Sequence, residues 1–138
     1  MRFMVLFKAN TDYESGNLPG ESHLAELVKF NEELTKAGVL LAVDALHPSS
    51  KGTRIKFSGG KRIAMDGPFA ETKELIAGYW LWQVRSKAEA IEWLERAPLD
   101  DTEVEIRQVF EPEDLGVALM PELRTQDERL RAQIAQKQ

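Results

Sequence analysis

The sequence predicts an α+β fold, a ferredoxin-like βαββαβ sandwich with an inserted β-hairpin, its helices on one face of an antiparallel sheet. Three observations carry this. Residues 2–8 (RFMVLFK) and 79–84 (YWLWQV) read as strands. Two segments with helical spacing of apolar residues are each followed by a further strand-like run. Between the halves, Ser58-Gly59-Gly60 separates two short strand-like runs as a hairpin turn.

In chain order, residues 2–8 put Phe3, Val5 and Phe7 on one face and Met4 and Leu6 on the other. Residues 9–21, with Gly16, Pro19 and Gly20, read as a loop. A helix is expected over 22–37 with Leu24, Leu27, Val28 and Leu34 as its apolar stripe and Gly38 as its stop. Strand character returns at 39–46 and closes at Pro48, and residues 53–57 and 61–65 form the hairpin. One helical turn is expected over 71–76, then the strand 79–84. Ser86 begins a helix with Glu89 in a capping-box arrangement. Ala90, Ile91, Leu94 and Ala97 form its stripe, Pro98 stops it, and residues 102–110 form the last strand.

Helices on one side cover only one face of the sheet, yet strands 2–8 and 79–84 are apolar on both. A second copy of the chain is the simplest cover, so the pattern predicts sheet-to-sheet pairing into a homodimer. The tail differs in kind. Residues 111–119 are irregular, and Pro121 opens a helix to about residue 136 whose stripe is only Leu123, Leu130 and Ile134. We expect a domain over 1–116 and a charged helical tail over 117–138, either solvated or packed on the partner subunit.

Composition narrows the function classes. A net charge of −5 with no basic stripe argues against nucleic acid, whose phosphates need a basic footprint. The chain has no cysteine, which excludes disulfides, thiolate metal sites and a cysteine nucleophile and fits a reducing compartment. No run approaches a membrane span and the N-terminus is unlike a signal peptide, so a cytoplasmic protein without membrane contact is expected.

Several segments resemble the YCII-related proteins of the DGPF subgroup. They are Phe30-Asn-Glu-Glu-Leu34, Ala37-Gly-Val-Leu-Leu41, Leu46-His-Pro-Ser-Ser-Lys51, Phe57-Ser-Gly-Gly60 and above all Asp66-Gly-Pro-Phe-Ala-Glu-Thr-Lys-Glu74. Ser86-Lys-Ala-Glu-Ala90, Pro98 and Glu105-Ile-Arg-Gln-Val-Phe110 extend the likeness over roughly residues 30–116. The resemblance implies a dimeric α+β barrel and little about chemistry, since a fold does not settle a function. Its wider branch implies a catalytic dyad of a histidine on the first helix with an aspartate, which would fall to His23 and Asp44. Around that acid the subgroup resembles Gly-Glu-Gly, where this chain has Val43-Asp44-Ala45. The resemblance also extends to domains that accompany sigma-factor-like regulators.

Candidate chemistry gathers at two places. His47, in Leu46-His47-Pro48, is either a general base or a loop histidine bonded to backbone. Asp66 is either a turn-capping carboxylate before Gly67-Pro68 or a base or ligand anchor held by that rigid turn. Phe69, exposed by the turn, would close a pocket, and Lys73, between Glu71 and Glu74, would neutralise an acidic ligand or merely be solvated. On strand 79–84, Tyr79 faces away from Trp80 and Trp82, so either face can supply a stacking wall, with Asn31 on the helix as a further binding residue. The histidine and acid spacings match no metal motif and Ser58-Gly59-Gly60 is no phosphate loop, so neither metal nor cofactor is expected. Two functions follow: a small-molecule-binding dimer with cofactor-free acid–base chemistry, or a non-catalytic dimerisation or regulatory module.

Overall fold

The computed structural model describes residues 1–115 and 120–137, the side chain of Lys73 excepted. It divides into two compact units, Met1–Gln108 and Val109–Gln138. The boundary expected at 116/117 lies outside the described residues, as does the expected role of Lys73.

In the first unit the elements run β1 (Arg2–Lys8), α1 (Thr11–Glu14), α2 (Glu21–Lys36), β2 (Leu40–Ala45), β3 (Thr53–Ser58), β4 (Lys61–Asp66), β5 (Ile76–Gln83), α3 (Lys87–Glu95) and β6 (Val104–Gln108). Four strands form one antiparallel sheet in the order β2-β5-β1-β6, while β3 and β4 pair with each other in a separate two-stranded sheet. This is the ferredoxin-like βαββαβ arrangement, mixed α+β, with the hairpin as an insertion between β2 and β5.

Strand alternation decides the core. Phe3, Val5, Trp80 and Trp82 are buried and pack with Phe30 and Leu34 of α2 and Ala90 of α3. Their neighbours in sequence, Met4, Leu6, Tyr79 and Leu81, point to the opposite face and stay outside that cluster. Tyr79 therefore faces away from both tryptophans, as the strand period requires. Trp80 and Trp82 stack at 5.1 Å, and Phe7 meets Trp80 edge-on at 4.7 Å.

Several expectations are corrected. Residues 9–21 are not all loop: α1 occupies one turn, because Asn10 caps it by accepting from the Tyr13 backbone N–H, and Asp12 and Glu14 suit its N-terminal end. On α2 the buried residues are Phe30 and Leu34, while Leu24 and Val28 are 46% and 57% exposed. On α3, Ile91 is exposed and Trp93 joins the core instead. β5 starts at Ile76 rather than 79, since Lys8 extends the β1 ladder past a bulge, and the turn over 71–76 contracts to a 3₁₀ turn at Thr72–Glu74. Ser86 does cap α3, accepting from the Glu89 N–H at 3.1 Å, while Glu89 reaches back to Arg85 N–H.

In the second unit, α4 (Pro112–Leu115) precedes α5 (Pro121–Gln136), whose Leu123, Leu130 and Ile134 are exposed. Among the described residues no helix is long and apolar enough to cross a membrane.

Candidate functional site

A concavity of the first unit lies between α2 and the ends of β1, β2 and β5, with a volume of about 670 Å³. One wall is a single face of α2: His23, Leu27 and Asn31 recur every four residues, with Leu24 beside them. Phe7, Val43, Gly78 and Trp80 supply the sheet side. The segment around α1 contributes Asn10, Asp12, Tyr13, Asn17, Leu18 and Pro19, and the turn after α3 contributes Leu99, Asp100 and Thr102. Asp101 between the last two has φ 50, a bend that aspartate tolerates, and both its neighbours line the cavity. Leu24 is exposed because it faces this space rather than the core.

Inside the cavity, the Trp80 indole N–H donates to Asn31 Oδ1 at 2.9 Å, which ties the helix face to the sheet floor. Tyr13 pins α1 to the strand ends: its hydroxyl donates to the Leu46 carbonyl, with the Ala77 carbonyl 2.9 Å away. Burial pushes that phenol above the usual tyrosine range. Asp44 lines the rim, but its carboxylate accepts from the Tyr79 hydroxyl at 3.0 Å, on the sheet face opposite Trp80. That hydrogen bond raises the Tyr79 pKa, because it holds the proton that ionisation would remove. His23 is half-buried in the cavity wall, and the structure gives Asp44 to Tyr79 rather than to His23.

The Asp66–Phe69 turn lies elsewhere. Neither His47, Asp66, Phe69 nor Tyr79 lines the cavity. His47 is exposed. Asp66 closes the base of the hairpin, accepting from Thr53 Oγ1 at 2.8 Å, while Gly67 N–H donates to the Gly52 carbonyl at 2.9 Å. The Gly67–Pro68 bond is cis, and a Cβ on Gly67 would stand 1.8 Å from the Ser49 carbonyl oxygen. Only glycine fits that approach. Phe69 is not exposed as expected but half-buried, because the Arg54 guanidinium lies 3.9 Å over its ring.

A relay joins the turn to the cavity. Ser49 Oγ accepts from the Phe69 N–H at 3.0 Å and itself donates to Glu14 Oε1, while the Ser49 N–H donates to Glu14 Oε2 at 2.9 Å. Glu14 ends α1, so the turn holds in place a cavity wall that it does not touch. Sequence reasoning missed this part. Asn10 followed by Thr-Asp-Tyr-Glu is a legible N-terminal helix signal, but nothing along the chain announces the Glu14–Ser49 contact. Among the described residues no group of three His, Asp or Glu is placed to hold a metal ion.

Among known proteins, the YCII-related domain matches residues 1–113. An uncharacterised protein, R00369 of Rhizobium meliloti (strain 1021), is 36% identical over 73 residues, which is 53% of this chain and 59% of that one. The chain thus spans about three fifths of that curated relative's length. Among solved structures, the 5-chloro-2-hydroxyhydroquinone dehydrochlorinase TftG from Burkholderia phenoliruptrix AC1100, in complex with 2,5-dihydroxybenzoquinone, resembles the chain at a TM-score of 0.44 and 13% identity. The match covers 83% of this chain and 99% of TftG, and at that level it says nothing about chemistry. The match over residues 1–113, which takes in β1 to β6 and the whole cavity, shows that the protein belongs to the YCII-related domain family.

Proposed function

We propose that the protein is a small-molecule-binding homodimer whose site is the cavity beneath α2, with His23 as the residue able to exchange a proton there without a cofactor. One observation carries this reading: an imidazole, an oriented amide and an apolar floor meet in one space of about 670 Å³, a size that suits a small organic ligand. Histidine titrates near neutral pH, so it suits general acid–base work in such a place. Support for the dimer comes from Met4, Leu6 and Leu81, apolar residues on the sheet face that the core helices leave uncovered. A cytoplasmic protein remains the proposed setting.

A second reading, a non-catalytic dimerisation or regulatory module, draws on the hairpin. Ile55, Phe57, Ile63 and Met65 are all more than half exposed on it. Two experiments separate the readings. A thermal-shift screen of neutral aromatic fragments should yield compounds that raise the melting temperature of the wild type but not of Leu24→Trp, which fills the cavity from its exposed side. Compounds that act equally on both proteins, or a silent screen, would remove the cavity as the site. Light scattering at micromolar concentration should give twice the chain mass; a monomer refutes the dimer.

A further inference from the structure

Resting on the cavity as a ligand site, we infer that its ligand is a neutral or cationic molecule with an apolar body and an oxygen that accepts from the Asn31 amide, and that carboxylates and phosphates are selected against.

The Asn31 side chain has only one orientation consistent with its partner. An indole N–H only donates, so the atom 2.9 Å from Trp80 Nε1 is the amide oxygen. The NH₂ group then has both hydrogens left, and among the described residues no further hydrogen bond engages that side chain. Because Asn31 belongs to the cavity wall, a ligand carbonyl, ether or hydroxyl oxygen is the partner that chemistry supplies.

Size follows from helix geometry. Asn31 and His23 are eight residues apart on one face, a span of about 12 Å along the axis. Leu24, Leu27 and Phe7 occupy the stretch between them, so the ligand's middle is apolar and on the order of two fused rings long.

Charge sets the class. Asp12 and Asp100 line the cavity, while Lys8, the lysine in its wall, has its ammonium 3.5 Å from Glu105. Among the described residues no arginine lines it, and His23 is the other basic side chain in the wall. A carboxylate or phosphate entering here would lose water without gaining a committed counter-charge, whereas an amine meets Asp12 and Asp100, with Asp44, which accepts from Tyr79, as a third carboxylate at the rim. The aspartates are exposed, so this preference fades as salt rises.

Three naphthalene probes of matched shape test it by tryptophan-fluorescence titration at low ionic strength: acetonaphthone, naphthylmethylamine and naphthoate. The ketone and the amine should each bind about tenfold or more tightly than naphthoate, as one unmatched charge or hydrogen bond implies. Asp12→Asn with Asp100→Asn should weaken the amine several-fold and spare the ketone. Asn31→Asp keeps an oxygen for the indole but removes the donor, so it should weaken the ketone by roughly tenfold with little change in melting temperature. Naphthoate binding as tightly as the ketone would overturn the ligand class and leave the cavity a binding site. Silence from all three probes, or equal binding to Leu24→Trp, would overturn the cavity reading itself, and this inference with it.

Discussion

The cavity beneath α2 and the turn that leaves β4 are built from opposite kinds of sequence. The turn is the most distinctive stretch of the chain, Asp66-Gly67-Pro68-Phe69, and its groups are committed to one another: Asp66 to Thr53, Gly67 to Gly52, Phe69 to Ser49 and Arg54. The cavity is lined by common residues at spread-out positions, and among the described residues no hydrogen bond engages its imidazole or its amide NH₂. Distinctive residues here mark a backbone that tolerates little, while the capacity to bind collects where groups are left over. The two are linked through Ser49 and Glu14, so the turn affects the cavity by holding its wall.

Five measurements would break or sharpen that contrast. The largest effect should come from Gly67→Ala, because its Cβ would overlap the Ser49 carbonyl oxygen. Loss of about 3 kcal/mol or more in denaturant unfolding is expected, the upper end for overpacking; a loss under about 1 kcal/mol would show that the 49–52 segment yields easily. Next, Ser49→Ala removes the link between the turn and α1 and should destabilise by about 2 kcal/mol, with faster hydrogen exchange across α1 than across β4. Unchanged exchange in α1 would break the relay. Third, Asn31→Leu leaves the buried Trp80 N–H without its acceptor, for a loss of about 1–3 kcal/mol, whereas Asn31→Asp should be milder.

The fourth concerns pH. The Tyr79 pKa is raised in the folded protein by its bond to Asp44, and that of Tyr13 by burial. Each therefore stabilises the fold below the ordinary tyrosine value near 10 and loses that contribution as pH rises above it, since the unfolded chain releases the proton first. A phenolate absorbance titration should show both tyrosines ionising late, and Asp44→Ala should bring one of them, Tyr79, back toward the ordinary range. If Asp44→Ala shifts neither, the bond to Tyr79 does not form in solution. The smallest effect should be that of Asp66→Asn, which keeps the oxygen that Thr53 uses. A change within about 1 kcal/mol and intact ligand binding are expected. Ligand binding abolished by Asp66→Asn alone would move the site back to the turn.

Much of the fold was legible because strand and helix periods act locally. Phe3, Val5, Trp80 and Trp82 share a face by simple alternation, and the capping of α3 by Ser86 follows from a hydroxyl three residues before Glu89. Helical faces were read less well. Leu24 and Val28 follow the apolar spacing yet stay exposed, Leu24 in the cavity wall and Val28 outside it, because periodicity marks a stripe without saying what lies opposite. Of the residues singled out in the sequence, His23, Asn31, Asp44 and Trp80 line the cavity, while His47, Asp66, Phe69 and Tyr79 do not. Nothing in their spacing separates these groups, since it depends on the register between β2 and β5 and on the course of the segments 46–52 and 9–20.

By itself, then, the sequence determined the strand and helix order and the two-faced strands, both set by the backbone and its nearest neighbours; the need for glycine at 67 came from the Ser49 carbonyl oxygen, a tertiary contact. The tertiary structure alone decided that the Asp66–Phe69 turn supports a wall instead of forming one, that Asp44 serves Tyr79, and that Asn31 in the cavity wall gives its amide oxygen to Trp80. Those outcomes depend on contacts between segments 18 to 49 residues apart, such as Glu14 with Ser49 and Asn31 with Trp80, whose geometry exists only once the sheet has closed.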